Sequence, residues 1–258
     1  MELIRPIVKV GNSAGVVLPR EWLYGKAKII LIEKSLQPEK EVFDVLKEYL
    51  RDVVALAIVG SYARGEQTAE SDVDILAITK NVGKRISYGK YEIIMIPLDK
   101  IEETLRGNAL PLIPMFREAK PIINKALFDN YKNEKVTSGN LRWHIETTRS
   151  ALNVVRKILD LLEEDEPCVS DGIMYSLILR LREWYIVEHL LHETHTRKKE
   201  FMRLVKHVSG SYEPYYSYLR SKNKLKDEKK TSVGSALKIY DYLSKKIEEQ
   251  KKWIRKKG

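Results

Sequence analysis

Asp72 and Asp74 stand two residues apart in Ser71-Asp72-Val73-Asp74-Ile75-Leu76, where acid and apolar residues alternate with the period of a β-strand. Residues i and i+2 of a strand point to one face, so both carboxylates project together while Val73 and Ile75 turn into a core. Such a pair repels unless a cation stands between its members, and hard divalent ions, Mg²⁺ above all and Mn²⁺ after it, prefer carboxylate and phosphate oxygens. Upstream, the apolar run Val53–Val59 ends at Gly60-Ser61. A glycine at a strand end lets a phosphate approach the backbone, and Ser61 opens the following turn with a hydroxyl and N–H groups that can hold phosphate oxygens. Two metal ions about 3.5–4 Å apart would activate an acceptor oxygen and stabilise a leaving pyrophosphate in an in-line displacement. The plainer reading of the same residues is a pair of exposed acids on a surface strand.

Several elements must position these residues. Val42, Val45, Leu46, Tyr49 and Leu50 recur at helical spacing after Pro38, which suits a first helical turn. Val53–Val59 reads as a strand covered on both faces, followed by strands at Asp72–Thr79, Tyr91–Leu98 and Lys120–Asn124, with Asp99 and Glu102 as a capping box before the next helix. This alternation predicts an α/β unit with a mixed sheet. From Ser138 onward the apolar spacing predicts helices at Leu141–Glu164, Val169–Glu193, Lys198–Val208 and Val233–Trp253. The first residues read as short strands, Ile4–Val10, Val16–Leu18 and Lys26–Glu33, around the turn cluster Gly11–Gly15. The expected architecture is therefore a small N-terminal β segment over 1–35, a mixed-sheet α/β domain over 36–135 and a C-terminal helical bundle over 136–258.

Composition narrows the class of partner. In 258 residues, 43% are hydrophobic and 32% charged, which fits a globular chain and excludes a disordered or collagen-like one. The apolar run Val53–Val59 is far short of the roughly 20 residues of a membrane helix. Glu2, Arg5, Lys9 and Arg20 leave no apolar core for a secretory signal, and the single Cys168 cannot pair within the chain. A cytoplasmic protein with no membrane contact is the expectation. Residues 197–258 hold 19 Lys and Arg against seven Asp and Glu, so the whole excess of +10 sits in the last quarter. A phosphate-rich partner would explain that asymmetry, and so would a solvated lysine-rich helix.

Gly60-Ser61, ten residues, then Asp72-Val73-Asp74-Ile75 resembles the signature of the polymerase-β nucleotidyltransferase superfamily, especially its minimal prokaryotic members. Ala63-Arg64-Gly65 and Ser71 are similar to that group as well, and the resemblance covers about residues 40–130. It implies transfer of a nucleoside monophosphate from a nucleoside triphosphate, ATP first, to a protein, RNA or small-molecule acceptor with release of pyrophosphate. It implies Asp72 and Asp74 as ligands of two Mg²⁺ ions and Gly60 and Ser61 as contacts of the triphosphate. It also implies a third carboxylate on a neighbouring strand, acting as general base or metal ligand. Glu92 in Tyr91-Glu92-Ile93-Ile94 occupies that position, where many relatives carry Asp. Asp99 is the runner-up, though it reads better as a helix cap. Arg64 is left between meeting phosphate and orienting the loop.

Ile7–Trp22 resembles the swapped-hairpin domain of AbrB/MazE-type regulators and antitoxins, which implies a homodimer, DNA contact and a toxin–antitoxin setting. An antitoxin-like or DNA-binding protein with a degenerate catalytic site is the alternative to the enzyme. The helical half resembles HEPN domains, some of which are ribonucleases with Arg and His four to six residues apart. Arg182 and His189 meet that spacing, but chance supplies about one such match in a chain with this many arginines. His189, His192 and His195 invite a zinc reading, yet the first and third stand about 240° apart around a helix and do not converge. Tyr212, Tyr215, Tyr216 and Tyr218, followed by Arg220 and lysines 222, 224, 226, 229 and 230, could stack bases and hold phosphates, or pack their rings and solvate their charges.

Overall fold

The computed structural model describes residues 2–32, 36–68, 71–162, 167–194 and 196–257, which divide into two compact units, Met1–Gln37 and Pro38–Gly258. In the first unit, β1 (Ile7–Val10) and β2 (Ser13–Val16) pair antiparallel, with Val10 opposite Ser13 across a tight turn. Gly11 takes φ +58° there, a conformation that favours glycine. The strand expected over Lys26–Glu33 is absent: residues 25–32 have no regular structure, and Glu33 lies outside the described residues. Its alternation of basic and apolar residues has no neighbouring strand to pair with, and a lone strand is not stable.

In the second unit, α1 (Pro38–Val45) starts at Pro38, whose missing N–H is no loss in a first turn. Next come β3 (Val53–Val59), α2 (Gly60–Arg64), β4 (Val73–Thr79), β5 (Lys84–Tyr88) and β6 (Tyr91–Pro97). α3 (Ile101–Arg106), α4 (Leu112–Glu118), β7 (Lys120–Ile123) and α5 (Lys125–Tyr131) complete the sheet region. The strands form one mixed sheet in the order β5-β6-β4-β3-β7, in which β4 and β6 run parallel and every other pair antiparallel. The helical part is α6 (Ser138–Asp160), α7 (Asp171–Leu191), α8 (Lys198–Ser209), α9 (Glu213–Lys222) and α10 (Val233–Lys257). The expected class, a mixed-sheet α/β fold with a small N-terminal β hairpin and a C-terminal helical region, is what the chain adopts.

Alternation divides the sheet's two faces. Leu56, Ile58, Val73, Ile75 and Ile93 are buried on one side, where Tyr91 Oη donates a 2.6 Å hydrogen bond to Glu41 of α1. Ala55, Ala57, Val59, Leu76 and Ile78 face the other side and join a single core with Ile101, Phe116 and Phe128 and with the helices, including Leu141, Leu177, Leu181, Val205 and Ile239. Sheet and helices therefore bury one another, which fixes helical residues against the strand ends.

Two local expectations are corrected. α3 begins at Ile101 after a short 3₁₀ turn, Leu98–Lys100, and Lys100 at its N-cap makes no side-chain cap, so Asp99 and Glu102 do not form the capping box. The box stands instead at α6, where Thr137 and Asn140 cap each other. The Asn140 amide also donates to the carbonyls of Leu105 and Gly107, at 2.9 and 2.8 Å, closing the end of α3.

Candidate functional site

Gly60 ends β3 and begins α2 with φ +69°, and its neighbourhood is set by β4, which pairs Val59 with Asp74. Asp74 lies on the same face as Leu76 and Ile78, the face that carries the large core, and sits near the end of its strand. Asp72 immediately precedes β4 and is about half exposed. Asp74 stands beside the β3–α2 turn, whereas Asp72, expected on the same strand, lies one residue before it.

Glu118, the last residue of α4, completes the turn from 58 residues away. Its Oε1 accepts the Gly60 N–H at 2.7 Å, and its Oε2 pairs with Arg64 Nη1. Arg64 Nε also donates to Glu66 at 2.9 Å. Arg64 is therefore held by two carboxylates at the end of α2, which is the loop-orienting role left open by the sequence. The Gly60 N–H is already taken, so the Ser61 hydroxyl and the N–H groups after it are the donors left to a phosphate at this turn.

The helical half reaches the same place. Lys222 Nζ, at the end of α9, lies 3.9 Å from Asp72 Oδ2. Burial pushes the Asp74 carboxyl up to about 6, and Asp72 and Glu118 add to the rise. Lys222 and Arg182 oppose it. Arg182 belongs to α7, where its Nη1 donates to Tyr218 Oη at 3.4 Å. With Arg64 paired to Glu118, Asp72 and Asp74 are left facing Lys222 and Arg182 in one electrostatic neighbourhood. Hard carboxylate oxygens in a partly buried site suit a divalent cation, and Asp72 and Asp74 are the residues that would hold it.

Glu92 is the Cα partner of Asp74 in the parallel β4–β6 pairing, so the two belong to one face of the sheet. Its carboxylate is exposed and accepts a 2.5 Å hydrogen bond from Ser87 on β5. Among the described residues, no three His, Cys, Asp or Glu side chains are grouped as a metal site. The zinc reading finds no support there: His189 Nδ1 lies 2.9 Å from the carbonyl oxygen of Tyr185, His192 lies 3.7 Å from Glu188, and His195 is outside the described residues. Tyr215 and Tyr218 are buried, Tyr218 stacked on Tyr175 and Tyr215 against Phe201, so they pack as core rather than wait for bases. Tyr216 is exposed and Tyr212 lies under Lys206.

A groove of about 740 Å³ between α1 and β5 is lined by Tyr49, Lys84 and Tyr88. Tyr88 pairs with Tyr91, which belongs to the opposite face from Asp74, so the groove is separate from the acid pair. No helix among the described residues is long and apolar enough to cross a membrane.

Glu118 carried no local signal, while Arg182 and Lys222 were noted for other reasons, a ribonuclease-like spacing and a basic tract, and not as partners of the acid pair. Each is an ordinary charged residue in its own segment and joins the site only through tertiary packing.

Comparison with known proteins places the sheet region in a known family. A model of the nucleotidyltransferase domain matches residues 39–133. Two proteins of Methanocaldococcus jannaschii, both named as putative protein adenylyltransferases, are similar to parts of this chain. One is 39% identical over 97 residues, which is 36% of this chain and 92% of that protein. The other is 40% identical over 55 residues, 18% of this chain and 37% of its own length. A nucleotidyltransferase-like protein of Exiguobacterium sibiricum, known from a crystal structure, aligns over 82% of this chain and 74% of its own at 13% identity with a TM-score of 0.34. With nearly the whole of a relative covered at this identity, the chain belongs to the nucleotidyltransferase family, and it is a nucleotidyltransferase whose family domain occupies residues 39–133.

Proposed function

We propose that the chain transfers AMP from ATP to a hydroxyl group of a protein and releases pyrophosphate. The observation that carries this reading is Asp74 against the Gly60-Ser61 turn, with its pKa raised to about 6 by burial and by the nearby Asp72 and Glu118 carboxylates. A carboxylate kept partly buried next to like charges costs folding energy, and a bound cation offsets that cost. The choice of AMP and of a protein acceptor follows the names of the two archaeal relatives. RNA and small molecules remain the other acceptor classes for the same chemistry.

In this reading Asp72 and Asp74 hold two Mg²⁺ ions, with Mn²⁺ as a substitute. Bound there, the ions supply charge neutralisation for the triphosphate and for the pyrophosphate that leaves. The chain's own residues do the rest. Ser61 and the N–H groups of α2 hold phosphate oxygens, while Gly60 keeps the turn close to Asp74. The acceptor oxygen bonds to the α-phosphorus as the bond to pyrophosphate breaks, and the hydroxyl proton passes to a carboxylate. Glu92, on the Asp74 face, is our candidate for that base or for a third ligand. Residues 136–258 form the wall that receives nucleotide or acceptor.

The N-terminal unit presents Ile7, Val10, Ile29, Ile30 and Ile32 to solvent. That exposed apolar surface supports a homodimer through residues 1–35, with DNA contact through Arg5, Lys9 and Arg20 as its further extension. A toxin partner belongs to the same proposal. The antitoxin-like alternative, with a relic acid pair, has to explain the cost of a partly buried Asp74.

The test is incubation with each labelled nucleoside triphosphate and Mg²⁺, following pyrophosphate release and label on protein, beside Asp72→Ala and Asp74→Ala variants. Metal-dependent turnover with ATP, absent in both variants, is the expected result. Turnover that survives Asp74→Ala removes the acid pair from the chemistry.

A further inference from the structure

We propose that Lys222 is a triphosphate-binding residue that also guards the metal site: before a divalent ion arrives, its ammonium stands at Asp72, and on arrival it passes to the triphosphate. The inference rests on the reading of Asp72 and Asp74 as metal ligands.

Lys222 Nζ is 3.9 Å from Asp72 Oδ2, and both side chains are about half exposed, at 49% and 46%. The contact is close enough to be electrostatic and loose enough to be exchanged. The backbone beneath it is fixed. Arg220, two residues earlier and 13% exposed, binds Asp171 through Nε and Nη2 at 2.7 and 2.9 Å and Glu213 at 2.8 Å. The end of α9 is thereby anchored, while the four-carbon stem of Lys222 remains free to swing. Arg182 stands behind it, tied to Tyr218 of the same helix.

Charge accounts for the exchange. Arg64 is already paired with Glu118 and Glu66, so Lys222 and Arg182 are the cations that answer Asp72 and Asp74 from the helical side. A divalent ion and an ammonium compete for the same Asp72 oxygen, and the doubly charged ion wins. The displaced ammonium then faces the one new anion in the site, the triphosphate. The loop after Lys222 is tied back to the start of α7 and leaves lysines exposed to meet an anion. Asp227 accepts the Asp171 N–H at 3.1 Å and Asp171 accepts the Glu228 N–H at 3.3 Å, while Lys224, Lys226 and Lys229 stay exposed as a cationic rim.

The experiment uses the full chain with Lys222→Met and Lys222→Arg. Mn²⁺ binding without nucleotide is followed by electron paramagnetic resonance, and binding of α,β-methylene-ATP and of AMP with Mg²⁺ by calorimetry. Lys222→Met should bind Mn²⁺ alone about three- to tenfold more tightly, lose about tenfold or more in affinity for the triphosphate analogue, and bind AMP as the unaltered chain does. Lys222→Arg should recover most of the triphosphate affinity. Equal loss for AMP and the triphosphate, or Mn²⁺ affinity unchanged or lowered in Lys222→Met, overturns the proposal. Failure of the unaltered chain to bind Mn²⁺ at all overturns the metal-site reading itself, which is a different result from a null effect at Lys222.

Discussion

A Cβ added at Gly60 would lie 2.2 Å from Oδ2 of Asp74, closer than any real contact of that kind. The residue that begins α2 and the acid that faces it are thus built around a missing methyl group. The φ of +69° at Gly60 disfavours a side chain independently of space. Gly60→Ala should therefore cost about 1–3 kcal/mol of stability and about 100-fold in turnover, because Asp74 must move. Thermal unfolding beside label transfer separates the two effects. Turnover kept at the level of the unaltered chain would show that the close approach has no bearing on chemistry.

Asp74 carries a predicted cost in the metal-free chain. Its carboxyl lies near 3.8 when free and near 6 in the fold, so the folded state holds its proton more tightly. The stability it contributes is present below pH 4 and is lost as pH rises through 6. Asp74→Asn should then be more stable than the unaltered chain at pH 7.5, by about 1–3 kcal/mol, with the gap closing at pH 4. Mg²⁺ should raise the melting temperature of the unaltered chain and leave the Asn variant where it was. Differential scanning calorimetry at the two pH values reads both signs.

His144 should show the opposite slope. It is fully buried on α6, neither ring nitrogen has a hydrogen-bond partner among the described residues, and burial with Arg180 nearby lowers its pKa to about 4. The free imidazole titrates near 6.5, so the unfolded chain takes up the proton first. Stability should fall as pH drops from about 6.5 towards 4. His144→Leu should flatten that part of the pH profile while changing stability little at pH 8, since it removes an unsatisfied polar group along with the ring. A profile as steep in the variant would exclude His144 as its source.

Arg220 and Asp171 predict a large local effect. Both are almost buried, and Asp171 is held below the ordinary carboxylate range by the Arg220 hydrogen bond. Arg220→Met leaves that carboxylate without its partner and should destabilise the chain by about 3–5 kcal/mol in urea unfolding. The double variant Arg220→Met/Asp171→Leu should recover much of the loss, because no unpaired charge is then left inside.

How far these relationships were legible in the sequence depended on their range. Val53–Val59 and Asp72–Thr79 stood out because a strand buried in the middle of a sheet must be apolar or strictly alternating. Lys84–Tyr88 escaped notice because it is an edge strand with a single partner and mostly exposed side chains, so its sequence owes nothing to a core. The helix Glu213–Lys222 was obscured by four tyrosines that suggested binding, although two of them are core rings. Asp72, Asp74 and the Gly60 turn were visible as one motif, since 15 residues span them. Glu118 was invisible and Lys222 was seen only as part of a basic tract, because no local pattern tells a charged residue which distant turn it will meet.

The order β5-β6-β4-β3-β7 has a consequence for the chain as it leaves the ribosome. β3 and β4, which bring Gly60 and Asp74 together, are complete by residue 79, whereas much of the core that covers Ala57, Val59, Leu76 and Ile78 comes from helices beginning at residue 138. At about 5–20 residues per second, several seconds of synthesis separate the two. During that interval the nascent sheet shows its apolar face to solvent, or to whatever chaperone holds it, and the acid pair exists before the helices that give it a cation.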